Sequence, residues 1–329
     1  MTQYSIVKLS NLSPLHIGTG RENYDFSSAD LQSDTLSSAL AAVRVQRGKS
    51  EGLDLFLGSF SISSAFPYKK VGDQTLYFLP KAQGRLNVEV KGEEEHVYRK
   101  RLKKVAFVEQ SLWQRLMAGE RLVVDLSQLA GQFLLPEGIK VGATYMTQVS
   151  QRVTVSRDGD DAVPFFFEWR YFDADCGLYC LLDADHACKA EVFDLFAQLG
   201  ENGIGTDRSV GGGRFEVQES HLTLQTPNDA NAQILLSTYI PTEDEAETLN
   251  LSASSYSMLI RGGFMAGSQE PHLKHLRKKS IFMFAPGSLF ATTRTLHGKV
   301  VDLRPSFNDP SLHPVYRSGR PFSIPIIKQ

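Results

Sequence analysis

The stretch GIGTDRSVGGGRFEV, residues 203–217, places five glycines in the eleven positions from Gly203 to Gly213, with Arg208 ahead of the last three and Arg214 directly after them. Its neighbours decide its meaning. From about Ala187 to Leu199 the chain sets Val192, Phe193, Phe196 and Leu199 on one helical face, and RFEVQ (214–218) reads as a strand. The glycines therefore join the carboxyl end of a helix to a strand. Walker A loops and dinucleotide fingerprints run the other way, from a strand to the amino end of a helix whose dipole favours an anion. Their spacing is missing too. Arg214 and Phe215 follow Gly213 where a Walker lysine and hydroxyl would stand, and Arg208 occupies the third fingerprint position counted from Gly203.

Glycine tolerates positive φ and close approach, so consecutive glycines can turn several N–H groups into one concavity that holds phosphate without a helix dipole. Arg208 and Arg214 would add charge and bidentate geometry. A flexible turn is the competing reading, although Gly200 or Gly203 alone would end the helix.

Working outward, YSIVKLSNLSPLHIG (4–18) reads as a strand that breaks at Pro14 into a loop, and SDTLSSALAAVRVQ (33–46) as a helix. Ser33 is the expected N-cap, Asp34 suits the positive end of the dipole, and Leu36, Leu40 and Val43 carry the helical spacing. A short helix over 53–57 and strands near 59–65 and 75–79 follow, with FPYKK (66–70) as their connection. After an interruption come the strand GLYCLLDA (177–184), the helix and the glycine stretch. Strand, helix, two strands, helix, strand is the split βαβ, or ferredoxin-like, order.

The interruption, about 82–161, is expected to be an insertion. KGEEEHVYRKRLKK (91–104) is dense in charge, FVEQSLWQRLMAGE (107–120) reads as a helix, and TYMTQVSQRVTVS (144–156) and PFFFEWRYF (164–172) flank the turn RDGDD (157–161) as a long hairpin. Beyond residue 226 come the strands AQILLST (232–238), SYSMLIRGGF (255–264) and SIFMFAPGSLFAT (280–292), then the tail HPVYRSGRPFSIPII (313–327). Only EDEAETLN (243–250) is helical there. A second, degraded copy of the same sheet is expected, so the chain divides into 1–225 and 226–329. Its 329 residues exceed what one core usually serves, and 42% hydrophobic content supplies two.

A net charge of -2 excludes a generally basic protein but not a local positive patch. No apolar run reaches the roughly 20 residues of a membrane helix, and MTQYSIVKLS lacks a signal-peptide layout, so a cytoplasmic protein without membrane contact is expected. Cys176, Cys180 and Cys188 lack paired zinc spacing and read as free thiols. His272 and His275 have no carboxylate or cysteine partners, so no metal and no cofactor are expected.

A ferredoxin-like unit whose last helix leads into this glycine stretch resembles the RAMP superfamily of RNA-binding subunits of CRISPR effector complexes. LHIGTG (15–20), SDTLSSAL (33–40), FSISSAFPY (60–68), YFLPK (77–81), LKKVAFV (102–108), RVTVSRDG (152–159), GSLF (287–290) and HPVYRSGRPF (313–322) occur in order along the chain. Together they resemble subunit four of the type III-A (Csm) complexes, which caps the 5′ end of the guide RNA. The resemblance implies an α+β protein of two ferredoxin-like (RRM-like, RAMP) domains with a β-hairpin thumb inserted in the first. It implies a scaffold that holds the repeat-derived 5′ tag of crRNA between its domains, kinks the guide with the thumb, and docks the large palm-domain subunit. It further implies a place beside a backbone RAMP subunit, only indirect contact with target RNA, and no catalytic role.

On that reading the tag phosphates meet Gly203, Gly205, Gly211, Gly212, Gly213, Arg208, Ser209 and Arg214, with His16, Gly18 and Gly20 in a loop near the same sheet end. Ser33 adds helix N–H groups, while Asp34 itself repels phosphate and reads as a cap. Arg152 and Arg157 on the hairpin, and Lys103 and Lys104, face the guide, a solvated charged face being the alternative for the lysines. In the second domain Lys278, Lys279, Arg317 and Arg320 are candidates; Tyr316 either stacks on a base or belongs to the core. The enzymatic alternative is a metal-independent RAMP endoribonuclease that processes pre-crRNA with His16 as general base. The equivalent subunit of a type III-B complex is the other alternative.

Overall fold

The computed structural model describes residues 2–18, 24–28, 30–155, 162–265, 268, 270–306 and 309–328. β1 (Thr2–Ser10) pairs antiparallel with two strands far along the chain. After it come α1 (Ser33–Gln46), α2 (Leu53–Gly58), β2 (Phe60–Ile62), β3 (Phe66–Val71) and β4 (Gln74–Pro80). FPYKK is thus a strand and not a connection. Pro67 reads as a breaker, yet it lies next to the strand's start, and Phe66 and Tyr68 alternate into the core as a strand requires.

The interruption holds β5 (Val88–Val90), α3 (Glu95–Lys104), β6 (Phe107–Glu109), α4 (Gln110–Met117), β7 (Leu122–Val124), β8 (Leu129–Ala130) and β9 (Phe133–Leu134). It is no separate module: β6, β9 and β8 extend the main sheet beyond β4. Trp113 on α4 is fully buried and donates its indole N–H to the Pro80 carbonyl at 3.0 Å. The charged run 99–104 is the exposed part of α3, anchored through buried Tyr98.

β10 (Tyr145–Val155) and β11 (Ala162–Phe172) form an antiparallel hairpin in register from Tyr145↔Phe172 to Val155↔Ala162. Its expected turn, with Arg157, lies outside the described residues, as does Gly20. β12 (Cys176–Ala184), α5 (His186–Asn202) and β13 (Glu216–Leu224) complete the sheet, whose order is β13-β1-β12-β3-β4-β6-β9-β8 with β2 also on β12.

The central strands are buried on both faces. Val7, Leu9, Leu178, Cys180 and Leu182 pack with Leu36 and Leu40 of α1 and Leu195 and Phe196 of α5. Ile6, Tyr179, Leu181 and Leu222 point the other way, into a core shared with α4 and the C-terminal strands β14 (Ala232–Leu235), β17 (Leu289–Phe290) and β20 (Ser323–Ile326). Cys176 and Cys180 are buried free thiols and Cys188 is half-buried.

The C-terminal part also contains α6 (Glu243–Thr248), β15 (Met258–Arg261), β16 (Ile281–Phe284), β18 (Val300–Asp302) and β19 (Tyr316–Ser318). Instead of one copied sheet it has three small ones, β17-β14-β20, β15-β16 and β18-β19. Single bridges such as Tyr239↔Phe284 and Ser255↔Leu289 connect the first two. Gly263 and Gly287, both at positive φ, interrupt the strand patterns that read as continuous. Among the described residues no helix is long and apolar enough to cross a membrane.

Candidate nucleic-acid interface

α5 ends on Gly203, whose φ of 78° with ψ of 159° is an extended positive-φ conformation open to glycine rather than the αL turn of a usual helix cap. The chain then doubles back, and the Ile204 N–H donates to the Gly213 carbonyl at 2.9 Å. The loop after β1 closes on this bend. Gly213 donates to Pro14 O (2.9 Å), Thr206 to His16 O (3.0 Å) and Ser13 to Arg214 O (2.9 Å), while the Ser13 hydroxyl donates to Gly211 O (2.8 Å). Gly18 lies beside Thr206. The two loops expected to share a sheet end do so.

The glycines act differently from the expectation. A Cβ on Gly213 would stand 1.8 Å from Ile204 O, one on Gly205 2.2 Å from His16 O, and one on Gly212 2.7 Å from the Trp169 ring. They permit close backbone approach. The amides of Gly203, Gly211, Gly212 and Gly213 donate to Leu199, Arg208, Asp207 and Pro14 carbonyls and are not free to cradle phosphate. Among the described residues, those of Gly205, Arg208 and Ser209 have no intramolecular acceptor. Arg208, Ser209 and Arg214 are exposed, and an open cleft of roughly 570 Å³ is lined by Gly205, Thr206, Arg208 and Ser209 with Gln46 and Asn202.

The hairpin is tied to the bend. Arg152 forms an ion pair with Asp207, a non-glycine residue at φ 59°, and its guanidinium lies 4.5 Å over the Phe167 ring and 5.4 Å from Trp169. Arg152 is therefore engaged within the protein while staying about one-third exposed. On the same hairpin face Phe167 packs 4.4 Å from the His16 ring. His16 is fully buried with Nδ1 on the Glu168 carbonyl at 2.8 Å, so its side chain reaches neither RNA nor a 2′-hydroxyl. Burial by alternate hairpin aromatics, visible in PFFFEW, is the missed signal. A second missed residue is Tyr24, 46% exposed and stacked on Phe167 with rings 6.0 Å apart.

The remaining candidates lie elsewhere. Ser33 is the first helical residue and not the cap. Gln32 precedes the helix, the Ser33 N–H donates to Ser64 Oγ (3.0 Å), and its hydroxyl meets Thr238 (2.8 Å), so both donors of Ser33 are used within the protein. Asp34 is fully buried and pairs with Arg317 and, at 2.8 Å, with Arg261. Arg317 is thereby consumed by a carboxylate from the other half of the chain. Tyr316 packs partly buried against the α1–α5 core. Lys278 is half-buried, and burial, then the charge of Arg261, lowers its ammonium pKa; Lys279 is exposed and Arg320 half-buried. Arg317 and the cleft residue Gln46 stand at opposite ends of α1, about 20 Å apart along its axis. Lys103 and Lys104 end α3 on the opposite layer of the sheet from the bend.

Residues 228–326 match the model of the CRISPR Csm4 C-terminal domain. The "CRISPR system Cms protein Csm4" of Mycobacterium tuberculosis (strain CDC 1551 / Oshkosh) is 28% identical over 309 residues, covering 93% of this chain and 93% of that protein. The fold resembles a Csm4 chain in a Csm1-Csm4 cassette solved in complex with cA4, at TM-score 0.60 and 21% identity over 100% of both chains. It also resembles a chain of a Csm3-Csm4 subcomplex from the type III-A interference complex, at TM-score 0.62 and 16% identity, covering 98% of this chain and 100% of that one. A matching C-terminal model, a relative aligned over nearly its full length and a shared fold thus make residues 228–326 a CRISPR Csm4 C-terminal domain and the whole chain similar to Csm4 proteins in sequence and fold.

Proposed function

We propose that this CRISPR effector subunit holds the 5′ repeat-derived tag of crRNA on the face formed by the glycine bend and the loop after β1, and that it does so without cutting RNA. The observation carrying this reading is the bend itself: a rigid turn whose exposed crest offers Arg208, Ser209, Arg214 and three unbonded amides beside an open cleft. Phosphates would be held by those groups, and exposed Tyr24 offers a base a stacking surface. The β13-β1-β12-β3 order with α1 and α5 on one face supports a first ferredoxin-like RAMP unit over 1–225. The remainder, 226–329, would be a second unit built on three small sheets and not a copy of the first.

The hairpin, whose far face exposes Val149, Val153, Val155 and Phe166, would be the thumb that kinks the guide. The large palm-domain subunit and a backbone RAMP subunit are the expected partners, since Csm4 chains have been solved with Csm1 and with Csm3. Burial of His16 disfavours the endoribonuclease alternative, because a general base must come within hydrogen-bond reach of the proton it removes.

The test is binding of a tag-containing RNA across a salt series. Arg208→Ala and Arg214→Ala should each weaken binding and lower the log–log salt slope by about 0.7. Unchanged affinity and slope in both would overturn the site, and cleavage of repeat RNA that His16→Ala abolishes would overturn the scaffold role.

A further inference from the structure

Away from the bend, a second concave surface gathers four cations, three of them without a carboxylate partner among the described residues. It is a cleft of roughly 330 Å³ between the segment after β4 and α3, walled by Lys81, Arg85, Arg99 and Lys103 and floored by Leu86 and Leu102. Arg85 is engaged by Glu95 at 2.8 Å. Among the described residues no carboxylate pairs with Lys81, Arg99 or Lys103. Lys81 is half-buried, and burial pushes its ammonium pKa down. A cation drawn partly out of water without a counter-ion costs free energy that a bound anion offsets.

The walls are fixed before any ligand arrives. The Lys81 N–H donates to Ala106 O and the Gln83 N–H to Gly287 O, both at 2.8 Å, which holds the segment between the α3–β6 connection and the C-terminal half. Arg99 and Lys103 stand one helical turn apart on the same face of α3, close enough to grip one phosphate together. A flat acidic protein surface would need neither the concavity nor the two leucines between the cations.

We infer that this cleft binds a nucleoside phosphate, with the phosphate on Lys81, Arg99 and Lys103 and the base or ribose on Leu86 and Leu102. Two sources share that chemistry: one unit of a single-stranded RNA, or a free nucleotide. The inference does not rest on the glycine bend. Tyr98 of α3 packs in the core on one face of the sheet, and Ile204 and Phe215 of the bend pack on the other, so either site can fail alone.

The experiment uses the full chain purified free of nucleic acid, with labelled oligouridylate and ADP as probes. The variant Arg99→Glu with Lys103→Glu changes only exposed side chains, and Arg208→Ala with Arg214→Ala serves as the bend control. The α3 variant is expected to weaken oligouridylate binding about tenfold and to lower the salt slope by about 1.4, and to do the same in the bend-variant background. If ADP shields Lys81 and Lys103 of the wild type from acetylation, the site takes a free nucleotide; if only oligouridylate does, it takes a strand. Unchanged affinity and slope with no shielding by either probe overturns the inference. So does a variant that binds both probes normally and fails only to assemble with a protein subunit, which would make the cleft a protein-docking surface.

Discussion

Arg261 Nε lies 2.8 Å from Oδ2 of Asp34, joining residues 227 positions apart at the first turn of α1. Arg317 donates to the same oxygen from β19, and Arg261 also reaches Thr35 Oγ1 at 2.7 Å. A fully buried carboxylate thus clasps two guanidinium groups of the C-terminal half onto the N-terminal half.

Removing that carboxylate strands two cations, one of them buried. Asp34→Ala should lose about 3–5 kcal/mol of stability, the usual cost of breaking a buried pair, whereas Arg317→Met, which removes a charge with its desolvation, should cost less. Denaturant melts of both variants check this. Equal losses, or an Asp34→Ala loss within about 0.5 kcal/mol of zero, would contradict the clasp.

The glycines of the bend separate by what surrounds them. Gly213 and Gly211 both have positive φ, 69° and 86°, but a Cβ on Gly213 meets Ile204 O at 1.8 Å while one on Gly211 meets nothing within 4 Å. Gly211→Ala should cost about 1–2 kcal/mol through backbone strain alone. Gly213→Ala should cost about 4 kcal/mol or more, since the clash is backbone against backbone and cannot be relieved by a side-chain rotation. Thermal melts giving the two variants similar losses would show that packing is not what these glycines serve.

Local pattern carried the first half of the fold well and long-range pairing poorly. The α1 and α5 faces, the hairpin strands and the junction of the bend with the loop after β1 were legible, because each follows from periodicity or from which end of a sheet a loop leaves. Asp34 was misread as a cap since its partners, Arg261 and Arg317, are invisible until the chain has folded. The glycine run suggested free amides, but the pattern could not show that Pro14, Asp207 and Arg208 carbonyls already consume three of them. In the C-terminal half, strands of two to four residues leave too few alternations for a period to register.

The ion pair of Arg152 with Asp207 ties the hairpin to the bend, and both side chains are about one-third exposed, at 33% and 31%. Solvent screening keeps such a pair near 0.5–1 kcal/mol, with the stacking of Arg152 on Phe167 adding about as much. Arg152→Ala should therefore lower global stability only by about 1–2 kcal/mol while raising hydrogen exchange of β10 amides. Asp207→Asn, which tolerates the left-handed backbone, isolates the charge. A double-mutant cycle without coupling, together with unaltered exchange in the hairpin, would remove the tie.

Glu245 gives a pH signature in the C-terminal half. It closes a capping box with Thr242, accepting the Thr242 N–H at 2.8 Å, and also accepts the N–H groups of His297 (2.6 Å) and Gly298 (3.1 Å). Burial raises its pKa, but the amides of His297, Thr242 and Gly298 together bring it below the usual carboxylate value. A folded pKa below the unfolded value of about 4.3 means stability that is present above that pH and lost as pH falls through the folded pKa. Glu245→Gln should cost about 1–2 kcal/mol at pH 7, and the gap from wild type should shrink below about pH 4 as the native carboxylate protonates. Melting curves from pH 7 to pH 3 that keep a constant gap would assign the loss to shape instead of charge.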